Sequence, residues 1–168
     1  MVDAIDELKA RARVLQRRVQ AGDAALLAQL RELDEYEATG STGVRRRHCL
    51  TLVARAFGFA NWPHARAVLA GERRDDFGSL LYPDACAAHW NIWSASYAEA
   101  KAIRAEHGGY LLAYKRQFLV VDRHFIETLG LDPDDPDWEA IGRDWVEPAN
   151  PAARERLYRR LVQNRARV

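Results

Sequence analysis

The chain has 168 residues, of which 48% are hydrophobic and 29% are charged, and its formal net charge is +1. This composition is typical of a globular protein long enough to bury a core, and it excludes a low-complexity chain. The near-zero net charge excludes a global field that would attract nucleic acid or an anionic membrane.

The cysteines and the apolar pattern predict a cytoplasmic protein. Cys49 and Cys86 lie far apart and form no paired motif, so we expect reduced thiols instead of a disulfide framework. The first residues are acidic, unlike the basic start of a secretory signal. No apolar run approaches the roughly 20 residues that a membrane span needs.

Two helices are predicted at the start of the chain. A three-four repeat of apolar residues predicts a helix over 4–20. Gly22 is placed to end it, and Asp23 is placed to cap the helix that follows. The predicted apolar faces comprise Ile5, Leu8, Ala12, Leu15 and Val19 in the first helix and Leu26, Leu27, Leu30 and Leu33 in the second.

A tight corner joins the next two predicted helices. A breaker cluster over 39–43 precedes the third helix, and Ser41 or Thr42 is its expected cap. Gly58 stands where a helix ends in a left-handed residue, and Asn61 is placed to cap the fourth helix. The local pattern is therefore helix, corner, helix.

The third helix is expected to begin near Val44 and to open with Arg45, Arg46, Arg47 and His48, the most basic run in the chain. Cations at a helix N-terminus oppose the helix dipole, at a cost of about 0.3–1 kcal/mol each when exposed. Contact with phosphate groups is the functional interpretation of this placement. A solvated or carboxylate-paired face is the favoured interpretation, because exposed charge usually carries no site.

The corner also invites comparison with a DNA-reading helix-turn-helix. Trp62 and Pro63 would stand at the start of the recognition helix, where short polar side chains contact base edges. Arg66 and His64 are then the remaining base-reading candidates. We expect Trp62 to pack inward, which argues against this mode of DNA recognition.

Residues 52–69 have the sequence LVARAFGFANWPHARAVL and follow a charged helix and a leucine-rich helix. This arrangement resembles a small helical module of uncharacterised bacterial proteins, which often stands before ankyrin repeats or beside a glyoxalase-related segment. The resemblance covers about residues 4–71 and implies a bacterial scaffold or interaction module without a catalytic residue. The sequence after residue 72 resembles neither an ankyrin repeat nor a metal-dependent glyoxalase barrel.

The charged segment 72–76 is a candidate boundary between residues 1–72 and 73–168, which either fold separately or share one core. Beyond it, strands are predicted over 110–114 and 118–121 with a short loop between them. Because two strands alone are marginal in water, the aromatic segment around Trp90 is the candidate third strand.

Four more helices are predicted from their caps, which are Ser96, Asp122, Asp135 and Asn150. The last helix is expected to direct Leu157, Leu161 and Val162 inward, and its arginines outward. The fold class is therefore α+β, with about four N-terminal helices followed by a small antiparallel sheet flanked by helices. The outward arginines are Arg154, Arg156, Arg159, Arg160, Arg165 and Arg167.

The metal candidates are sparse. Cys86 and His89 have the spacing of two ligands of one zinc ion, but a structural zinc site needs four ligands. His107, His124 and Asp122 would join them only if the fold brings all five residues together. The acidic stretch 132–137 lacks the glycine and the terminal glutamate of a calcium loop. We expect no cofactor, and the histidines are interpreted as packed side chains.

The sequence leaves three functions open. A non-enzymatic protein-interaction module, using exposed aromatic and arginine surface, is the favoured one. The second is nucleic-acid binding through Arg45–Arg47, Arg66 and the C-terminal arginines. A loop carrying Lys115 and Arg116, beside the tyrosines of its strand, would add a stacking surface for single strands. The third is a small metal-dependent enzyme around His89, His107 and His124.

Overall fold

A computed structural model describes residues 3–34, 36 and 43–165. Within these residues the chain forms eight α-helices and one antiparallel sheet of three strands, which confirms the predicted α+β class. None of the helices in these ranges is both long enough and apolar enough to cross a membrane.

Four helices come first, the three strands follow with one helix between β1 and β2, and three helices end the described chain. The helices are α1 (Ala4–Gln20), α2 (Ala24–Arg31), α3 (Arg46–Ala56), α4 (Trp62–Leu69), α5 (Tyr97–His107), α6 (Arg123–Leu129), α7 (Pro136–Ala140) and α8 (Pro151–Asn164). The strands are β1 (Asn91–Ser94), β2 (Tyr110–Tyr114) and β3 (Gln117–Val121), and a short 3-10 helix covers Asp84–Ala88.

The predicted caps are confirmed at six helices. In each case the side chain accepts a hydrogen bond from a backbone N–H of the first turn, which satisfies a donor that has no partner inside the helix. These caps are Asp23, Asn61, Ser96, Asp122, Asp135 and Asn150.

The start of α3 differs from the prediction. Ser41 and Thr42 lie outside the described residues, and the N-cap residue is Arg45. The backbone N–H of Arg45 donates to Nδ1 of His48 at 3.1 Å, and His48 is buried. This histidine is therefore part of the helix start and of the core, not of an exposed basic run.

The strands follow the prediction, except that two of them begin at a different residue than expected. The turn between β2 and β3 consists of Lys115 and Arg116 alone, because Gln117 already pairs with Tyr114 as the first residue of β3. The third strand begins at Asn91, one residue after Trp90, and pairs antiparallel with β3. The strand order is β1-β3-β2, so β1 and β2 are the two edges of the sheet.

The two faces of the sheet belong to different clusters of buried side chains. Tyr110, Leu112 and Leu119 point into the main core, which also contains residues of α1, α3, α4, α6, α7 and α8. Leu111 and Ala113, on the opposite face, belong to a smaller cluster beneath α5. Since β-strand side chains alternate, one short sheet serves both clusters.

The corner between α3 and α4 lies against the chain that follows the helical segment. Gly58 has φ +85°, and its carbonyl accepts a hydrogen bond from the backbone N–H of Ser79 at 2.8 Å. A Cβ on Gly58 would lie 3.0 Å from the backbone nitrogen of Leu80 and closer still to the Ser79 hydroxyl. Only glycine combines this backbone conformation with so close an approach.

The helical segment and the sheet region are joined by one buried cluster that runs from Ala4 in α1 to Val162 in α8. Helix α1 packs against both α3 and α8. The guanidinium of Arg11 donates to the carbonyl oxygen of Val162 at 2.8 Å, and it lies over the ring of Phe57 at 5.0 Å. The first and last helices of the described chain are therefore neighbours.

The expectation that the arginines of α8 point into solvent is wrong for four of them. Arg156 donates to both carboxylate oxygens of Asp137, at 3.0 and 3.1 Å from its Nε, and Arg160 donates to the same group at 2.6 Å. Arg160 also pairs with Asp135 at 2.9 Å. The acidic start of α7, which comprises its cap Asp135 and Asp137 in its first turn, is thus the partner of the basic face of α8.

The other two arginines bind backbone carbonyl groups. Arg154 donates to the carbonyl oxygen of Trp145 at 3.0 Å, and Arg165 donates to that of Leu80. Arg167 lies outside the described residues. These guanidinium groups satisfy buried acceptors, so their hydrogen-bonding capacity is used within the fold.

Candidate interaction surface

An aromatic cluster stands at the edge of the sheet where β1 lies. The ring of Trp93 meets those of Tyr82 and Tyr114 edge-on, at centroid distances of 5.1 and 5.7 Å. Tyr82 in turn contacts Phe125 of the main core at 5.7 Å. Edge-to-face contacts of this kind stabilise ring positions, so Trp93 is held by its neighbours and not free to rotate.

Both tryptophans of this segment are exposed. Trp90 is 67% exposed and Trp93 is 39% exposed, and among the described residues the other large exposed hydrophobic side chain is Val14. We call Trp90, Trp93, Tyr82 and Tyr114 the tryptophan surface. Large aromatic side chains left in water beside a rigid sheet are typical of binding sites for other molecules.

The backbone of β1 has unsatisfied hydrogen-bonding groups on its outer side. On the other edge of the sheet, the N–H of Leu111 donates to Arg143 and its carbonyl accepts from Trp145, so both groups point away from β3. Val120, opposite Leu111, must therefore direct its own groups to β1, where it faces Ile92.

The alternation of an antiparallel ladder then determines which groups of β1 face outward. Ile92 and Ser94 bond to β3, whereas the N–H and C=O groups of Asn91 and Trp93 point away from the sheet. Within the described residues, no backbone hydrogen bond covers this outer side of β1. The edge with the tryptophans is therefore open, while the edge at β2 is closed by residues 143–145.

The closed edge is reinforced by a buried carboxylate. The hydroxyl of Tyr97 donates to one oxygen of Asp144 at 2.6 Å, and the backbone N–H groups of Val146 and Glu147 donate to the other oxygen. Burial and the neighbouring Asp144 carboxylate raise the pKa of Tyr97, so this hydroxyl stays a donor. Because the edge at β2 is covered by residues 143–145 and the edge at β1 is open, β1 is the candidate interaction site.

The hairpin turn lies beside this surface, but its backbone is already bonded. The N–H of Lys115 donates to the Gly78 carbonyl at 2.7 Å, and its carbonyl accepts from Phe77 at 2.8 Å. The Lys115 ammonium lies 5.2 Å from the centre of the Tyr114 ring. The Arg116 guanidinium lies close enough to Asp75 to help Arg73 lower the pKa of that carboxyl.

The arginine candidates lie on different elements. Arg45, Arg46 and Arg47 are exposed at the start of α3, and Arg66 is exposed on α4. In the described part of the chain, none of these guanidinium groups forms an ion pair, and no hydrogen bond connects them with the hairpin turn. The structure therefore leaves an exposed arginine run but does not join it with Lys115 and Arg116 in one site.

His64, the other base-reading candidate, is buried. Its Nδ1 accepts from the backbone N–H of Ala60 at 3.0 Å, so Nε2 carries the proton and donates to the Asp76 carbonyl at 2.9 Å. The imidazole thus ties the corner before α4 to the connection that follows it. The expectation that His64 could contact a base is wrong.

The zinc candidates do not face one another. The Cys86 thiol is fully buried against the Phe125 carbonyl, and burial raises its pKa to about 11, which disfavours the thiolate that a metal needs. Nε2 of His89 instead contacts the Thr128 hydroxyl at 2.7 Å. His124 is exposed beside Glu127.

The remaining enzyme candidate is also isolated. His107 is exposed at the end of α5, where its nearest acidic partner is Glu106 at 3.9 Å. Over the described ranges, no group of three or more histidine, cysteine, aspartate or glutamate side chains is placed to hold a metal ion. The structure therefore does not bring His89, His107 and His124 together in such a group.

A second apolar feature lies on the helical segment. An open groove of about 680 Å³ runs between α1, α2 and α3, and its floor includes Val14, Leu15, Leu52 and Phe57. Its charged rim is internally paired, since Glu7 contacts Arg11 at 3.4 Å and Asp23 contacts Arg18 at 2.6 Å. The groove therefore has apolar surface but no unbalanced charge that would select a ligand.

Comparison with protein-family models, with curated proteins and with solved structures finds no match to this chain. The resemblance of residues 4–71 to a bacterial helical module therefore stays a prediction. Function must then be inferred from the surface chemistry of the fold itself.

The sequence predicts that the aromatic segment around Trp90 is a strand, but it does not indicate that this strand is a binding site. The observed β1 confirms the prediction of a strand. The outer edge of β1 is open because residues 143–145 pair with β2, at the other side of the sheet, and not with β1. One signal in the sequence is the run from Trp90 to Ala95, which has two tryptophans and no charged residue.

Proposed function

We propose that the protein is a non-enzymatic protein-interaction module that binds a partner protein through the tryptophan surface. One observation carries the proposal: Trp90 and Trp93 are exposed beside a sheet edge whose backbone groups have no partner among the described residues. Tryptophan is enriched among the residues that contribute most binding energy at protein interfaces, and the ring of Trp93 is held in place by its neighbours.

The rigidity of the surface supports this function. Trp93 is braced by Tyr82 and Tyr114, and Tyr82 continues the contact into the core through Phe125. A side chain already fixed in its bound position loses little conformational entropy on binding. A preformed aromatic surface therefore suits recognition of a folded or extended partner chain.

The test compares affinity capture by the wild-type protein and by the double variant Trp90→Ala/Trp93→Ala, with nuclease treatment before quantitative mass spectrometry. We expect capture of the partner to fall by about tenfold or more, because loss of a tryptophan hot spot costs about 2 kcal/mol or more. Val14→Ala is the matched control, since it removes another exposed apolar side chain on α1. Far-ultraviolet circular dichroism checks that each variant folds.

Equal capture by the tryptophan variant and the wild type would contradict the proposal. The same experiment addresses nucleic-acid binding through the exposed arginine run. If capture depends on nucleic acid, it should disappear after nuclease treatment and fall steeply with salt. In a parallel capture without nuclease, it should be lost in Arg45→Ala/Arg46→Ala/Arg47→Ala and retained in the tryptophan variant.

A further inference from the structure

We propose that the partner at the open edge is a second copy of this chain, with β1 paired antiparallel to β1 about a two-fold axis at Ile92. This inference rests on the proposed function, because it uses the tryptophan surface, and it names the partner. Two three-stranded sheets would then form one continuous sheet of six strands.

The chemistry of the edge allows it to pair with itself. Natural edge strands resist self-association by being very short, or with a charged side chain, a proline or a bulge. With four residues β1 is short, but it has none of the other three devices. Residues 90–95 contain no charged residue and no proline, and β1 pairs with β3 over four consecutive residues without a bulge. An edge that bound a charged partner would be expected to carry the opposite charge, whereas a neutral one is compatible with an identical copy.

The backbone determines the register of this pairing. The outward groups belong to Asn91 and Trp93, which lie symmetrically on either side of Ile92. With the axis at Ile92, Asn91 of each copy lies opposite Trp93 of the other, and each of these two pairs exchanges two hydrogen bonds. An axis at Trp93 would instead pair that residue with itself and leave Asn91 without its partner.

The side chains fit the same arrangement. Asn91 and Trp93 share the face of the sheet that carries Leu119 and Val121, because directly opposed residues of neighbouring strands point to one side. The two Trp93 residues would be diagonal neighbours across the axis, and each ring keeps its contacts with Tyr82 and Tyr114 of its own copy. Pairing therefore satisfies the outer backbone groups and places Asn91 of one copy beside Trp93 of the other.

The first test is the oligomeric state in sedimentation equilibrium, with Asn91→Pro compared with Asn91→Ala. Proline removes the outward N–H of residue 91, which β3 does not use, so the sheet of the monomer keeps its hydrogen bonds. We expect a wild-type dimer, a dimer for Asn91→Ala, and dimerisation weakened about tenfold or more in Asn91→Pro, because two hydrogen bonds are lost per dimer.

The second test is a disulfide across the axis in the variant Ile92→Cys. The two copies of residue 92 form a non-hydrogen-bonded pair with a Cα separation of about 4.5 Å, which a disulfide accommodates. The native thiols Cys49 and Cys86 are buried and should not compete. Gln117→Cys is the matched control, because this exposed residue lies on β3, away from the axis.

A covalent dimer that forms under mild oxidation in Ile92→Cys but not in Gln117→Cys supports the second-copy pairing. The pairing is overturned if the wild type stays monomeric, or if a dimer is insensitive to Asn91→Pro and Ile92→Cys forms no cross-link. A monomer that still captures another protein through its tryptophans overturns only this inference and leaves the proposed function standing.

Discussion

At the scale of single residues, the buried carboxylate of Asp137 shows how this fold uses its arginines. The side chain is 7% exposed, and it accepts hydrogen bonds from both Arg156 and Arg160. The hydrogen bonds from Arg156, and then those from Arg160, hold the pKa of Asp137 below its usual range, against the opposite effect of burial. The carboxylate therefore connects α7 with α8 as an anion.

We expect Asp137→Asn to lower the free energy of unfolding by about 2 kcal/mol at neutral pH, because two charge-assisted contacts are lost in a nearly buried site. Urea denaturation measures the change. Asp34→Asn is the control, since the Asp34 side chain is 91% exposed and its contact with Arg55 should contribute less than about 0.5 kcal/mol. Similar losses in the two variants would contradict this role of Asp137.

The pH dependence has a definite sign. Because the pKa of Asp137 is lower in the folded than in the unfolded chain, its contribution is complete above the unfolded value of about 4 and is lost as pH falls through the folded value. The difference between wild type and Asp137→Asn should therefore be constant from about pH 5 to 7 and shrink in more acidic solution. A difference that grows on acidification would contradict the assignment.

At the scale of elements, the corner between α3 and α4 is held in place by hydrogen bonds with the chain that follows α4. Its glycine end and asparagine cap are local features, but the corner also accepts a hydrogen bond from Ser79 through the Gly58 carbonyl. Nε2 of His64 donates to the Asp76 carbonyl, close to the same point. The connection between the helices and the sheet is therefore fastened to the corner at Asp76 and Ser79.

Gly22 and Gly58 have similar φ angles, so replacing each with alanine distinguishes the cost of backbone strain from the cost of close packing. Gly22 has φ +95° and nothing within 4 Å of an added Cβ, whereas Gly58 has φ +85° and meets the Ser79–Leu80 backbone. We expect Gly22→Ala to cost about 1 kcal/mol from backbone strain alone. Gly58→Ala should cost about 1–3 kcal/mol more, because the neighbouring chain must move. Thermal or urea unfolding gives both values, and equal costs would show that the corner is not tightly packed.

At the scale of the whole molecule, one core unites the beginning and the end of the described chain. Leu8 and Ala12 of α1 and Leu161 of α8 belong to the same cluster, and all three are fully buried. A chain divided after residue 72 would expose the α8 side of α1 to water. This surface is too apolar to leave a short helical fragment stable by itself.

We therefore expect the fragment 1–72 to be only partly helical and to melt without cooperativity. Mixing it with the fragment 73–168 should restore helicity, because the missing half of the core is returned. Circular dichroism of each fragment and of the mixture measures the effect, with the intact chain as the control. A fragment 1–72 that unfolds in a sharp transition by itself would contradict the shared core.

The local elements of this protein follow from short-range patterns in its sequence. The caps at Asp23, Asp122 and Asn150, and the left-handed end at Gly58, were predicted correctly because each depends on hydrogen bonds or backbone angles within a few residues. The hairpin between β2 and β3 was also predicted, but its turn has two residues instead of the expected three, because Gln117 pairs with Tyr114.

The roles of the charged and aromatic side chains depend instead on contacts between distant parts of the chain. The arginines of α8 were expected in solvent, but Asp137, nineteen residues before Arg156, stands next to them. The open edge of β1 depends likewise on residues 143–145, which close the opposite edge and have no pattern that marks them as a pairing segment. Contacts across such separations follow from how the elements pack, and packing is a property of the whole core that no local pattern encodes.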